Sequence, residues 1–270
     1  MRYKKSYYNT IIEIPEGNKK LIYNSVTAAL GILDKKNLDL YDRINFINFD
    51  NLDGEEKETV ETLKENGFIV DADFDEYSNL IIESNKVKYD QNGAKSLTIA
   101  PTMNCNMKCP YCFETQKNEV INEETEYYII EFIKNFTEGT KALGISWYGG
   151  EPLLGKDIIV RLSEKIINIC DKRGIEYSAD MVTNGYLLNR ETAIEMKEKC
   201  KIDKVQITID GLEDTHNNRR KLKKNSGSCF NEIIKNIDEI NDILGVVIRI
   251  NVDIDNINEI EKLIIKFVTY

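Results

Sequence analysis

The sequence predicts an α/β fold of parallel strands with helices outside, preceded by a small α+β module. Short β-prone runs alternate five times with helical stretches across residues 93–270, and each run ends in a polar or glycine-containing cluster. The first ninety-odd residues follow another pattern, a hairpin and then helices. Strand, loop and helix repeated in that order imply parallel strands joined by right-handed crossovers.

Residues 1–92 form the first domain. Residues 8–15 and 20–23, separated by Glu16, Gly17 and Asn18, read as a β-hairpin. A helix from about Ser25, a linking stretch through Asp50, a helix over 55–66 closed by Gly67, and a short strand at 68–70 follow. The module is small, mixed and winged-helix-like. Residues 71–93, polar with some helical character, are the connector.

Residues 93–270 form the second domain. The run 97–101 leads into a loop with Cys105, Cys109 and Cys112; 143–148 leads into Gly149, Gly150, Glu151 and Pro152; 176–182 leads into Thr183, Asn184 and Gly185. The run 205–209 leads into Asp210 and Gly211, and 246–252 into Asp253. Tyr128, Ile129, Phe132, Ile133 and Phe136 make an apolar helical stripe behind Asn122 as N-cap. Ile158, Leu162, Ile166 and Ile169 make another, closed by Gly174. Three more helices span about 190–199, 231–243 and 256–268. In such a sheet the loops after the strands share the carboxyl rim, where α/β folds put their active sites. The cysteine loop, the Gly-Gly-Glu turn, Thr-Asn-Gly and Asp-Gly therefore converge in space. Asn184 reads as a stabiliser of its turn, and Arg249 and Asn251 as polar residues pairing within the barrel.

Thiolates spaced Cys-x3-Cys-x2-Cys can converge on one soft metal centre. An iron–sulfur cube normally takes four such ligands, so three leave one iron open to a small molecule, as a catalytic zinc keeps one position open. On the thiols alone, a zinc site completed by His216, the only histidine, matches the cluster evenly. A disulfide framework fits less well, because a chain of 270 residues with a large core has no need of staples. Cys170, Cys200 and Cys229 stand singly near helices and read as small buried hydrophobes.

With its glycine, threonine and aspartate turns in this order, the chain resembles the radical S-adenosylmethionine (radical SAM) enzymes, whose motif is Cys-x3-Cys-x2-Cys with an aromatic residue, here Tyr111, before the last cysteine. The resemblance implies a partial radical SAM barrel in which Cys105, Cys109 and Cys112 hold a [4Fe–4S] cluster. S-adenosylmethionine chelates the fourth iron, and one electron splits it to methionine and a 5′-deoxyadenosyl radical that takes hydrogen from a substrate. Gly149, Gly150, Glu151 and Pro152 match the motif that binds the SAM amino group, and Thr208 matches the Ser/Thr of Ser/Thr-x-Asp-Gly. Tyr111 and Thr183 join them as cofactor contacts. Asp210, His216 and Arg220 match a stretch of the peptide- and protein-modifying branch whose arginine reaches the SAM carboxylate, a role that falls to Arg220. His216 then shapes its loop. No residue is identified as the catalytic group that handles the substrate radical.

The same resemblance implies a precursor peptide or protein as substrate, thioether or other cross-link formation or sulfatase-type oxidation as outcome, and a one-electron donor such as flavodoxin or ferredoxin. It also makes residues 1–92 a candidate leader-peptide reader that adds a strand to an exposed edge; the alternative is a cap packed on the barrel. The chain ends after five strand–helix units, whereas the family barrel has six and its peptide maturases continue into a cysteine-rich SPASM extension. A fragment or shortened gene product, or a barrel closed by a second polypeptide or a copy of the chain, is therefore expected. A non-catalytic leader-binding or accessory protein with a vestigial barrel is the competing reading. With 36 basic against 46 acidic residues, a net charge of −10 and no basic stripe on the predicted helices, nucleic acid is not expected as a partner. The opening residues have no apolar signal region and no run nears the roughly 20 apolar residues that cross a bilayer, so a cytoplasmic enzyme is expected.

Overall fold

Side chains of the N-cap type decide where most helices of this chain begin. In the computed structural model, which describes residues 2–14, 19–90, 93–224 and 227–268, Asp34, Asp53, Asp75, Asn122, Asn189 and Ser228 each accept a hydrogen bond from a backbone N–H of the helix that follows. In chain order the helices are α1 (Lys35–Arg43), α2 (Gly54–Glu65), α3 (Glu76–Tyr89), α4 (Glu123–Phe136) and α5 (Lys156–Arg173). They continue with α6 (Arg190–Cys200), α7 (Glu213–Arg219), α8 (Cys229–Ile240) and α9 (Ile260–Val268).

The chain divides into two units, Met1–Asp90 and Gln91–Tyr270. In the first, β1 (Tyr3–Lys5) pairs antiparallel with β5 (Ile69–Asp71), and β2 (Asn9–Glu13), β3 (Lys20–Asn24) and β4 (Leu30–Leu33) form an antiparallel sheet in that order. Ile22, Leu33, Leu40, Tyr41, Val60, Leu63 and Ile69 fill its core. The expected hairpin is β2 and β3, while Glu16, Gly17 and Asn18 lie outside the described residues.

The helix expected from Ser25 is corrected by the structure. Asn24 Oδ1 accepts the N–H groups of Val26 and Thr27 at 2.9 and 3.0 Å, closing a turn that sends the chain back as β4. The helix starts only at Lys35, behind Asp34. Within the expected connector lies α3, a 14-residue helix with no buried residue.

The second unit holds β6 (Ala94–Ile99), β7 (Met107–Lys108), β8 (Ala142–Trp147), β9 (Glu176–Thr183), β10 (Ile202–Thr208), β11 (Lys221–Leu222) and β12 (Gly245–Arg249). Five of these form one sheet, order β12-β10-β9-β8-β6, and every neighbouring pair is parallel. This is the α/β architecture that the strand–helix repeat predicts and the partial barrel that the resemblance implies. Alternation along β8 buries Leu143, Ile145 and Trp147 in one core with Ile159, Leu162 and Ile166 of α5. On the opposite face, Ser96, Gly144 and Ser178 align across three strands, and Thr98, Ser146 and Asp180 form the next row. That polar face belongs to the barrel interior. Strands β7 and β11 pair as a separate antiparallel ribbon with no counterpart among the expected elements, because strands of two residues carry no periodic signal.

Gly174 ends α5 in the left-handed conformation at φ 65°, and an added Cβ would meet nothing within 4 Å. Only backbone strain then opposes a side chain. Gly174→Ala is expected to lower unfolding free energy by about 1 kcal/mol in denaturant titration; an unchanged midpoint would contradict that account.

Candidate active site

The loop after β6 carries three unpaired thiols, with Cys105 buried, Cys109 half-buried and Cys112 exposed. Cys105 Sγ accepts the Met107 N–H at 3.4 Å and faces Asn184 Nδ2 at 3.9 Å. Burial pushes the Cys105 and Cys109 thiols above their ordinary value, and the Arg220 guanidinium pulls both the other way.

The turn after β8 is laced to this loop through its backbone. Gly150 N–H donates to Thr102 O at 3.1 Å and Glu151 N–H to Asn104 O at 2.8 Å. Side chains are excluded there: a Cβ on Gly149, whose φ is +117°, would lie 2.5 Å from Thr102 O, and one on Gly150 would overlap Asn104 O. Glu151 is fully buried. Its carboxylate accepts Thr183 Oγ1–H at 2.7 Å, Asn184 N–H at 2.8 Å and Leu153 N–H at 3.2 Å. Burial pushes this carboxyl up, and the three donors oppose that by stabilising the charged form.

A second buried carboxylate, Asp210, organises the loops after β10 and β12. Asp210 Oδ1 accepts the backbone and side-chain N–H groups of Asn251 at 3.2 and 3.1 Å, and Oδ2 accepts the Tyr111 hydroxyl. Tyr111 in turn accepts from Arg220 Nη1 at 2.8 Å, which stands 3.6 Å from Asp210 Oδ2. Burial raises the Tyr111 phenol well above its usual range, and the facing Asp210 adds to this against the pull of Arg220. Arg219 pairs with Asp253 and lies over the Tyr111 ring, 5.6 Å from its centroid. His216 is fully buried; its Nδ1 accepts the Asp210 N–H at 3.3 Å and its ring meets Phe230 edge-on.

These loops enclose a cleft of about 350 Å3. Cys105, Cys109, Cys112, Tyr111, Gly149, Gly150, Thr183, Thr208 and Arg220 all line it. Glu151 lies behind the wall and holds Thr183 and Asn184 in place. His216 does not line the cleft. Asn184, Asn251, Arg219 and Asp253 do line it and were missed as site residues. Their places just after strands were the available signal for Asn184, Asn251 and Asp253; Arg219 joins them only once the loops are brought together.

The donor set fits an iron–sulfur centre. Three soft thiol donors from one loop, Cys105, Cys109 and Cys112, line the same cleft, and an iron–sulfur cube takes thiolates of this kind. The Arg220 guanidinium also lines the wall, and among the described residues its buried Nε has no acceptor. A carboxylate suits that donor.

Residues 99–266 match the Radical SAM superfamily. A probable GTP 3′,8-cyclase of Archaeoglobus fulgidus is 35% identical over 119 residues, which is 44% of this chain and 36% of that protein. A cysteine-type anaerobic sulfatase-maturating enzyme of Clostridium novyi is 30% identical over 156 residues, 54% of this chain and 40% of that protein. Among solved structures, Streptococcus suis SuiB is 16% identical, with 97% of this chain and 58% of that chain covered at a TM-score of 0.45. The matched segment thus spans about two fifths of the curated relatives' own length. The chain belongs to the radical SAM superfamily, whose cofactors are a [4Fe–4S] cluster and S-adenosylmethionine.

Gly150→Ala should displace the cysteine loop and leave the reconstituted protein with less iron than the wild type; equal iron content would contradict the lacing. Burial first, and the Arg220 charge second, depress His216 from 6.5 to about 4. The unfolded chain takes up this proton at the higher pH, so the neutral histidine stabilises the fold fully above about 6.5, and that contribution is lost as pH falls toward 4. It amounts to about 3 kcal/mol. Denaturant titrations between pH 7 and 4 should show a shallower loss in His216→Gln than in the wild type.

Proposed function

We propose that this chain carries the cofactor-binding core of a radical SAM enzyme that modifies a peptide or protein. The observation that carries the reading is the shared cleft: the three thiols, the glycine turn, Thr183, Thr208 and Arg220 line one cavity. Cys105, Cys109 and Cys112 would hold the cluster, with Arg220 toward the SAM carboxylate and Gly149 and Gly150 toward its amino group. When bound, the cofactors supply one-electron cleavage of S-adenosylmethionine to a radical that abstracts hydrogen. The protein's own part is to position and shelter them. Tyr111 and Asp210 orient Arg220, Glu151 holds Thr183 and Asn184, and Asn184 steadies Cys105.

Two observations support a peptide or protein substrate. A sulfatase-maturating enzyme is among the relatives, and the first unit carries an open sheet. Ile12, Leu30 and Ile32 are 51, 63 and 60% exposed on it, and β2 and β4 are its edges. An extended leader segment of a ribosomally made precursor would add to such an edge, its side chains against the apolar face. Thioether or other cross-link formation is the favoured outcome. A low-potential donor such as flavodoxin or ferredoxin would supply the electron, and a reducing cytoplasm suits the three unpaired thiols. Among the described residues no helix is long and apolar enough to cross a membrane. Strand β12 is an edge of the parallel sheet, and a further segment or partner chain would close the barrel there. The cyclase relatives favour a second reading, a nucleotide substrate in place of a peptide.

Anaerobic reconstitution with iron and sulfide tests the reading. Reduced protein with S-adenosylmethionine should yield 5′-deoxyadenosine, and Cys109→Ala should abolish it. Zinc without iron after oxygen-free purification would overturn the proposal. Consumption of GTP, with no modification of an encoded precursor peptide, would select the nucleotide reading.

A further inference from the structure

The β7–β11 ribbon touches the thiol loop through the Met107 N–H, but its lysine side chains take no part in the contacts described so far. Lys108 of β7 stands directly opposite Lys221 of β11, and Lys223 extends the ribbon by donating its N–H to Asn106 O at 2.8 Å. Lys108, Lys221, Lys223 and Lys224 are all exposed, and among the described residues none of the four forms an ion pair. Some surface lysines elsewhere are paired, as in Lys36–Glu55, Lys64–Asp71 and Lys156–Glu195, whereas here four unpaired ones stand together. Like charges facing each other across antiparallel strands oppose folding. The cluster is therefore a local excess of positive charge, without structural benefit, on a chain of net charge −10.

Its position is specific. Lys108 directly precedes Cys109, and the strand-mate Met107 donates its N–H to Cys105 Sγ. A second cleft of about 710 Å3 on this side is lined by Cys105 together with Leu222, Lys223 and Lys224. The thiol loop thus borders two clefts, one shared with Arg220 and Thr208 and one shared with the ribbon lysines.

We infer that this ribbon is the docking surface for an acidic one-electron carrier protein, a flavin hydroquinone or a reduced iron–sulfur protein, that feeds the centre held by Cys105, Cys109 and Cys112. The inference rests on the cluster reading above and names the partner that the site needs. In the transfer the carrier loses one electron and the centre gains it; no bond forms or breaks. Complementary charge speeds the encounter and orients the carrier toward the thiol loop.

The test uses the complete protein with reduced flavodoxin as probe, and compares the wild type with a variant carrying Lys108→Glu, Lys221→Glu, Lys223→Glu and Lys224→Glu. Affinity for the carrier, measured without S-adenosylmethionine, should fall about tenfold or more at low salt, and the wild-type affinity should weaken as salt rises. The matching set of Lys→Gln changes should lie between. Reduction of the centre by flavodoxin should slow in step, while iron content and reduction by a small photoreductant stay at wild-type levels. Unchanged carrier affinity in a variant with intact iron content overturns the inference alone. A loss of affinity for an acidic substrate peptide, with none for the carrier, assigns the patch to the substrate and also overturns it. A wild-type chain that assembles no iron–sulfur centre defeats the cluster reading and the inference with it.

Discussion

The buried carboxylate of Glu151 is the constraint on which the site depends. It has no exposure and three donors, two of them from the loop after the neighbouring strand. A carboxylate in that position is tolerable only while those donors are aimed at it, because an unpaired buried charge is costly. The requirement runs both ways: the Thr183 hydroxyl and the Asn184 N–H need the acceptor as much as the acceptor needs them. Asn184 then passes the constraint on, holding Asn106 Oδ1 at 2.7 Å beside Cys105. The position of the buried thiol is therefore set three contacts away, by a residue that does not face the cleft.

Asp210 plays the matching part across the rim. It is fully buried, and it joins the loops after β10 and β12 through Asn251 and Asn256, whose Nδ2 donates to Asp210 O at 2.6 Å. Its other oxygen meets Tyr111, so the cysteine loop is tied to both sides of the sheet. Arg220, 11% exposed, stands beside Asp210 and lines the cleft, and among the described residues its Nε has no acceptor. Negative charge is thus spent on holding loops, and the positive charge is left facing the ligand space. A cleft arranged this way is prepared for an anionic group before one arrives, which lowers the reorganisation needed on binding.

Outside the cleft, each surface has its own character. The three-stranded sheet of the first unit presents apolar side chains, and the β7–β11 ribbon presents unpaired lysines. Both leave free energy unclaimed, exposed apolar area in one and self-repulsion in the other. Partners of opposite kind would recover it: an extended, partly apolar peptide segment and an acidic protein surface.

The amino-acid order by itself determined the parallel sheet and the makeup of the rim. Its signals are local: a period of two against one near 3.6, N-caps such as Asn122, the glycine that closes α5, and thiols at metal-binding spacing. Parallel topology then forces the loops together whatever their distance along the chain. Local signals failed where a local competitor was stronger, as when Asn24 closed a turn ahead of the expected helix, or where an element was too short to have a period, as in the ribbon. Tertiary structure alone decided which polar rim residues face the ligand and which stand behind it. Glu151, read as a ligand contact, is fully buried and holds Thr183 and Asn184; Asn184, read as a turn former, accepts the Tyr186 N–H and also reaches the thiol; the Lys108–Lys221 pair came from positions more than a hundred residues apart. Burial and pairing across loops are properties of the assembled rim, and no window of sequence contains them.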